Sequence, residues 1–81
     1  MDKNTVFNEI ISYVQSVTNL PVDKIPTEES LYEKGLMDSY AIIELIDFLE
    51  NQFKVSIKDN EITKENLGSI SKMTNFVMAK K

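Results

Sequence analysis

The chain has 81 residues, with two glycines, two prolines, no cysteine and no histidine, and nine basic residues against thirteen acidic ones leave a formal net charge of -4 at pH 7. That length fits one small domain, residues 1–81, held together by helix packing, since disulfides are excluded and a zinc site lacks its usual ligands. The acidic balance disfavours nucleic-acid phosphates, and without His and Cys the chain lacks the commonest general base and the best nucleophile, so an enzyme complete in itself is not expected.

Residues 1–8 carry no apolar run and no stretch is long enough to cross a membrane, so the expected setting is cytoplasmic. Residues 4–17 place Phe7, Ile10, Ile11, Val14 and Val17 at the i, i+3, i+4, i+7 spacing of one helix face. Pro21 lies just beyond and discourages continuation. Residues 18–38 read as a long connection, punctuated by Pro21, Pro26 and Gly35. Leu20, Val22, Ile25, Leu31 and Tyr32 are expected to pin it to the core, and Thr27 is a candidate N-cap for a short helical turn. So long a connection in a small domain is a place to look for function.

Residues 39–53 give the clearest helix. Ile42, Leu45, Ile46, Leu49 and Phe53 form its apolar stripe, widened at the flanks by Phe48 and Ile43. Glu44, Asp47, Glu50 and Asn51 lie away from the stripe. Val55, Ser56 and Ile57 alternate in a brief extended segment, too short to found a sheet. Thr63 is positioned to cap a short helix over residues 64–67 that Gly68 ends. Ser69 then caps a last helix containing Ile70, Met73, Phe76 and Val77, and Lys80 and Lys81 suit its negative C-terminal end. The predicted fold is all-α, with three main helices, one short helix and a long first loop.

The segment Gly35-Leu36-Met37-Asp38-Ser39 runs directly into the strongest helix. Here the chain resembles the acyl carrier and peptidyl carrier protein family, whose hallmark is a Gly, a short apolar spacer and an Asp-Ser opening the second main helix. The resemblance covers nearly the whole chain: the long connection, the acidic second helix, and Asn66-Leu67-Gly68-Ser69-Ile70 before the final helix. It implies an acyl-carrier-like bundle in which Ser39 bears a 4'-phosphopantetheine arm taken from coenzyme A. It implies that Asp38 helps bind a divalent metal in the complex with the phosphopantetheinyl transferase, while the carrier alone has no metal site. Other implied partners are an acyl- or aminoacyl-loading ligase and downstream acyl-handling enzymes, which dock on the second helix of a monomer through basic patches.

Physical chemistry agrees with that reading. The first turn of a helix has unpaired amides and a partial positive charge, which suit a phosphodiester. No His stands beside Ser39 to activate it, as expected where a separate enzyme does the chemistry. Taken alone, an Asp-Ser pair such as Asp38-Ser39 before a helix is far more often an ordinary helix cap than a modification site, and it is Gly35, the long loop, the acidic helix and the chain length that favour a carrier. The expected partner surface comprises Met37, Tyr40, Ile43, Glu44 and Asp47, the alternative being a plain solvated face. Leu36 and Met37 read either as core plugs or as partner contacts. Met73 and Met78 are flexible enough to line an acyl cavity, although ordinary packing is the simpler reading.

Two features depart from the family pattern. Tyr40 stands where Leu or Met commonly follows the Ser. The spacer has two residues, Leu36 and Met37, where many fatty-acid-synthesis carriers have one. Two is expected of specialised stand-alone carriers, including D-alanyl and other aminoacyl carriers. The expected function is therefore to hold an acyl or aminoacyl group as a thioester for a specialised biosynthetic pathway. The alternative from another class is an unmodified helical interaction module that binds a basic partner with the same acidic helix.

Overall fold

A computed structural model describes residues 2–81. The described residues form α1 (Lys3–Thr18), a 3-10 turn (Val22–Lys24), α2 (Ser39–Phe53), a second 3-10 turn (Asp59–Glu61), α3 (Lys64–Leu67) and α4 (Ile70–Lys80). The all-α expectation of three main helices and one short one therefore holds, and no described residue lies in a strand. No helix among these residues is long and apolar enough to cross a membrane.

Local chemistry sets the ends of the helices. Asp2 caps α1 by accepting the Thr5 amide at 2.8 Å. The helix stops where Asn19 turns left-handed, φ 60°, and returns its N–H to the Gln15 carbonyl. Val6, Ile10, Ile11 and Val14 form the buried face of α1. The anticipated stripe is thus shifted: Val6 joins it, Phe7 sits half-buried at the flank, and Val17 is exposed in the last turn, past the covered part of the face.

α1 packs on α4 and α2, while the short α3 packs on α4. The core combines α1 with Leu45, Ile46, Leu49 and Phe53 of α2 and Ile70, Met73 and Val77 of α4. Tyr13 stacks on Phe48 with ring centroids 4.3 Å apart, and Phe48 meets Phe53 edge-on at 6.0 Å. That aromatic chain closes the seam between α1 and α2.

The long connection is pinned by Ile25, Leu31 and Met37, all buried. Val22 and Tyr32, expected as pins, are exposed instead. Thr27 begins no helix: the helical turn of this loop comes earlier, after Pro21, which presets the backbone angle. The Thr27 carbonyl instead accepts the Ser71 amide at 2.9 Å, while Glu28 receives the Ser71 hydroxyl, so the loop is stitched to the first turn of α4.

The expected extended segment after α2 makes no strand. Lys54 turns left-handed, φ 57°, and Glu50 gathers the residues beyond it. The Glu50 carbonyl accepts the Val55 amide at 3.3 Å and its carboxylate accepts the Ile57 amide at 2.9 Å. Ile57 is thereby carried back into the core. Thr63 and Ser69 cap α3 and α4 as expected, accepting the Asn66 and Lys72 amides at 3.2 Å each. Gly68 is the C-cap of α3, and a side chain does not fit there, since a Cβ would lie 2.3 Å from the Lys64 carbonyl oxygen.

Candidate functional site

The approach to α2 is built by a tight turn. Gly35 has φ +75°, a conformation that side chains disfavour, although open space surrounds it. Its amide bonds to the Tyr32 carbonyl at 3.0 Å. The amides of Leu36 and Met37 then share the Leu31 carbonyl, at 3.0 and 3.4 Å. Leu31 and Met37 are both sunk in the core, which fixes the chain just ahead of Asp38.

Asp38 is the N-cap and Ser39 the first residue of α2. Asp38 Oδ1 accepts the Ala41 amide at 2.9 Å, and the Asp38 carbonyl accepts the Ile42 amide at 3.0 Å. The Ser39 and Tyr40 amides have no helical partner, and they point along the positive end of the helix. Ser39 itself is exposed. The residues therefore fit a phosphodiester on Ser39 Oγ: an accessible hydroxyl, two amides left over by the cap, and a rigid base beneath.

Of the five residues expected on the partner surface, the fold removes Met37, which is only 3% exposed and packs in the core. Its spacer position turns it inward as the plug that anchors Asp38. Tyr40 and Ile43 are 79% and 58% exposed, and Glu44 and Asp47 also face solvent. Ion pairs among the described residues join Glu29 to Lys34, Glu33 to Lys64 and Glu61 to Lys80. Glu44 and Asp47 are in none of them, so their charge is available to a partner. Their field reaches α1: the Tyr13 hydroxyl is pushed above its ordinary pKa by partial burial first, then by Glu44 and Asp47.

Beside Ser39 opens a groove of about 380 Å3. Leu31, Ile46 and Met73 are its buried residues and form the floor, while Tyr32, Ile43 and Ile62 stand exposed at the rim. Leu67 and Ile42 add to a mostly apolar surface, and Ser30, Glu33, Ser39, Thr63 and Lys64 are the polar residues that also line it. Met73 thus lines the groove, whereas Met78 packs against the core elsewhere. Sequence reasoning missed Leu31, Ile62 and Leu67 as groove residues. Each is an isolated apolar residue in or beside a turn, and no periodicity marks it.

The profile of the family described as "Phosphopantetheine attachment site" matches residues 8–77. The acyl carrier protein of Campylobacter fetus subsp. fetus (strain 82-40) is 33% identical over 72 residues, 89% of this chain and 91% of that protein. The acyl carrier protein of Buchnera aphidicola subsp. Schizaphis graminum (strain Sg) is 29% identical over 74 residues, 91% of each chain. The probable acyl carrier protein PigG of Serratia sp. (strain ATCC 39006) is 36% identical over 55 residues, 68% of this chain and 63% of that protein. The match with this last relative therefore takes in just under two thirds of its length.

Proposed function

This chain belongs to the phosphopantetheine attachment-site family of acyl carrier proteins, whose cofactor is covalently bound 4'-phosphopantetheine, and on that premise we propose that Ser39 bears the arm. Members of this family are carriers rather than catalysts, and they work with transferases and acyl-handling enzymes. The observation that carries the assignment is the position of Ser39: an exposed hydroxyl at the first residue of α2, next to amides left over by the Asp38 cap.

Once bound, the arm supplies a terminal thiol on which an acyl group rides as a thioester. The chain's own residues hold and present it. Attachment replaces the Ser39 hydroxyl hydrogen with a phosphodiester, and the adenosine bisphosphate half of coenzyme A leaves. Asp38 uses Oδ1 for the Ala41 amide, which leaves Oδ2 for the divalent metal of the transferase complex. Tyr40, Ile43, Glu44 and Asp47 form the docking strip for partners with basic patches.

The apolar groove beside Ser39 favours an acyl cargo with an apolar tail over a small aminoacyl group. Tyr40 and the two-residue spacer Leu36-Met37 support a specialised pathway. Intact-protein mass tests the assignment. Co-expression with a phosphopantetheinyl transferase is expected to add one phosphopantetheine to the wild-type chain and none to Ser39→Ala. Wild-type protein that stays unmodified with several transferases would leave the unmodified interaction module as the better reading.

A further inference from the structure

Tyr13 of α1 is held firmly against α2. Its ring stacks on Phe48 with centroids 4.3 Å apart, and Phe48 in turn meets Phe53 edge-on. At Tyr13 the Ser16 hydroxyl bonds to the main-chain carbonyl, at 2.7 Å, and the phenolic hydroxyl is in no hydrogen bond among the described residues. The ring is thus fixed while its hydroxyl is left without a partner in the chain.

Two contacts set the register of the two helices. Glu9 accepts a bond from Gln52, and one turn later on α1 Tyr13 stacks on Phe48, one turn earlier on α2. The helices therefore run in opposite directions, and a further turn brings Val17, 42% exposed, level with Glu44. On α2, Glu44 lies one turn before Phe48, with Asp47 and Tyr40 as its neighbours on the exposed side. Tyr40, Glu44 and Asp47 do not line the apolar groove, which opens on the opposite flank of α2 at Ser39, Ile43 and Ile46. Partial burial first, then the charges of Glu44 and Asp47, raise the Tyr13 hydroxyl above its ordinary pKa, so both carboxylates act on it across the seam.

We infer that partner docking crosses from α2 onto α1, and that the seam between the two helices seats an arginine of a basic partner: Glu44, Asp47 and the Tyr13 hydroxyl oxygen accept from one guanidinium, with Tyr40 and Val17 as apolar contacts around it. Charge complementarity selects a cationic occupant, since both carboxylates are exposed and stand outside the ion pairs of the described residues. The third acceptor selects the kind of cation. A guanidinium spreads five N–H donors over a planar fork and reaches several acceptors at once, whereas an ammonium is a compact point charge. The phenolic oxygen is neutral, so it adds a hydrogen bond without adding attraction at a distance. Glu44 and Asp47 steer the partner, and Tyr13 distinguishes arginine from lysine. The apolar contacts at Tyr40 and Val17 fit a partner surface on which that arginine has apolar neighbours. Tyr13 deepens the reading of Glu44 and Asp47 as a docking strip, on which its own role rests.

Titration of the unmodified protein with arginine amide and with lysine amide, followed by the NMR signals of the Tyr13, Glu44 and Asp47 backbone amides, tests the seam. Arginine amide should move these signals saturably and bind about two- to tenfold more tightly than lysine amide, the worth of one added hydrogen bond. The Val77 amide, in the buried part of α4, is the reference and should not move. Tyr13→Phe keeps the ring and its stack, so it should melt like the wild type and lose the preference for arginine. With a phosphopantetheinyl transferase, Tyr13→Phe should raise KM for the carrier about two- to tenfold at unchanged kcat. Equal affinity for the two amides, an undiminished preference in Tyr13→Phe, or equal movement at Val77 would overturn the arginine seat. A wild-type KM for Tyr13→Phe, beside slow association of Glu44→Lys, Asp47→Lys, would confine docking to α2 and overturn its extension onto α1. The comparison of the two amides needs no variant and so does not depend on whether one folds. An unmodified Ser39 leaves the titration standing, and a failed seam leaves both the α2 strip and attachment at Ser39 standing.

Discussion

Asp38 and Ala41 are joined by a 2.9 Å bond from the Ala41 amide to Asp38 Oδ1, so the carboxylate that starts α2 belongs to the residue immediately before Ser39. Its cap and its charge are chemically separable. Asn caps a helix about as well as Asp but carries no charge. Asp38→Asn should therefore unfold like the wild type while its modification by the transferase slows about ten- to hundredfold, the loss of one contact made by a charged group. Asp38→Ala loses the cap as well, at about 0.5–2 kcal/mol of stability. Thermal unfolding together with modification rates checks both, and a wild-type rate for Asp38→Asn would leave the carboxylate as a cap alone.

Glu44 and Asp47 lie outside every ion pair of the described residues, on the exposed side of α2 that carries Tyr40. The double variant Glu44→Lys, Asp47→Lys should slow transferase association about tenfold or more at low salt, with the gap closing as salt rises. Stability should change by no more than about 0.5 kcal/mol. Tyr13 supplies an internal control. Two of the causes that push its hydroxyl upward vanish, so its titration should move down toward the ordinary value, while partial burial, the largest cause, stays. Alkaline titration followed by ultraviolet absorbance, against Tyr13→Phe, reads this shift. Unchanged transferase kinetics would remove the docking role.

How far the fold and the site are legible in the sequence depends on how local each cause is. α2 runs over Ser39–Phe53 as its apolar spacing indicates, and Asp38, Thr63 and Ser69 cap as their residue types indicate. Both signals lie within a few residues of their effect. Thr27 has the right residue type for a cap, yet its carbonyl is taken by Ser71, a partner far along the chain. Val55 and Ile57 alternate like a strand, but one residue of the preceding helix, Glu50, holds both amides. The groove is the extreme case. Leu31, Ile46, Ile62 and Met73 come from four separate segments, so only the packed chain brings them to the side of Ser39.

Leu45 and Leu49 are essentially inaccessible on the inner face of α2, and Ile43 on the same helix is exposed at the groove rim. Truncation should separate the two environments. Leu45→Ala and Leu49→Ala should each cost about 2–5 kcal/mol, the transfer term plus the cavity left behind. Ile43→Ala should stay within about 0.5 kcal/mol of the wild type and be felt instead in partner or cargo contacts. Urea unfolding decides this, and an unaltered midpoint for either leucine variant would contradict the core face described for α2.

Glu61 gives the pH dependence a sign. Its carboxylate is held below the ordinary 4.5, first by the Lys58 amide and then by the Lys80 side chain, with partial desolvation opposing them. A carboxyl whose folded value is depressed releases its proton more readily in the folded chain. It therefore stabilises the fold fully above its unfolded value, and that contribution is lost as the pH falls through the folded one. Glu33, held down by Lys64, and Asp2, held down by the Thr5 amide, act in the same direction over the same acid window. Melting temperature should accordingly decline as the pH drops below about 5, without the help of any histidine. Glu61→Gln should melt lower than the wild type at neutral pH, and the difference should shrink as acid protonates the wild-type carboxyl. Scanning calorimetry across the acid range reads both curves. A gap that stays constant with pH would mean that Glu61 acts through shape and hydrogen bonding rather than through its charge.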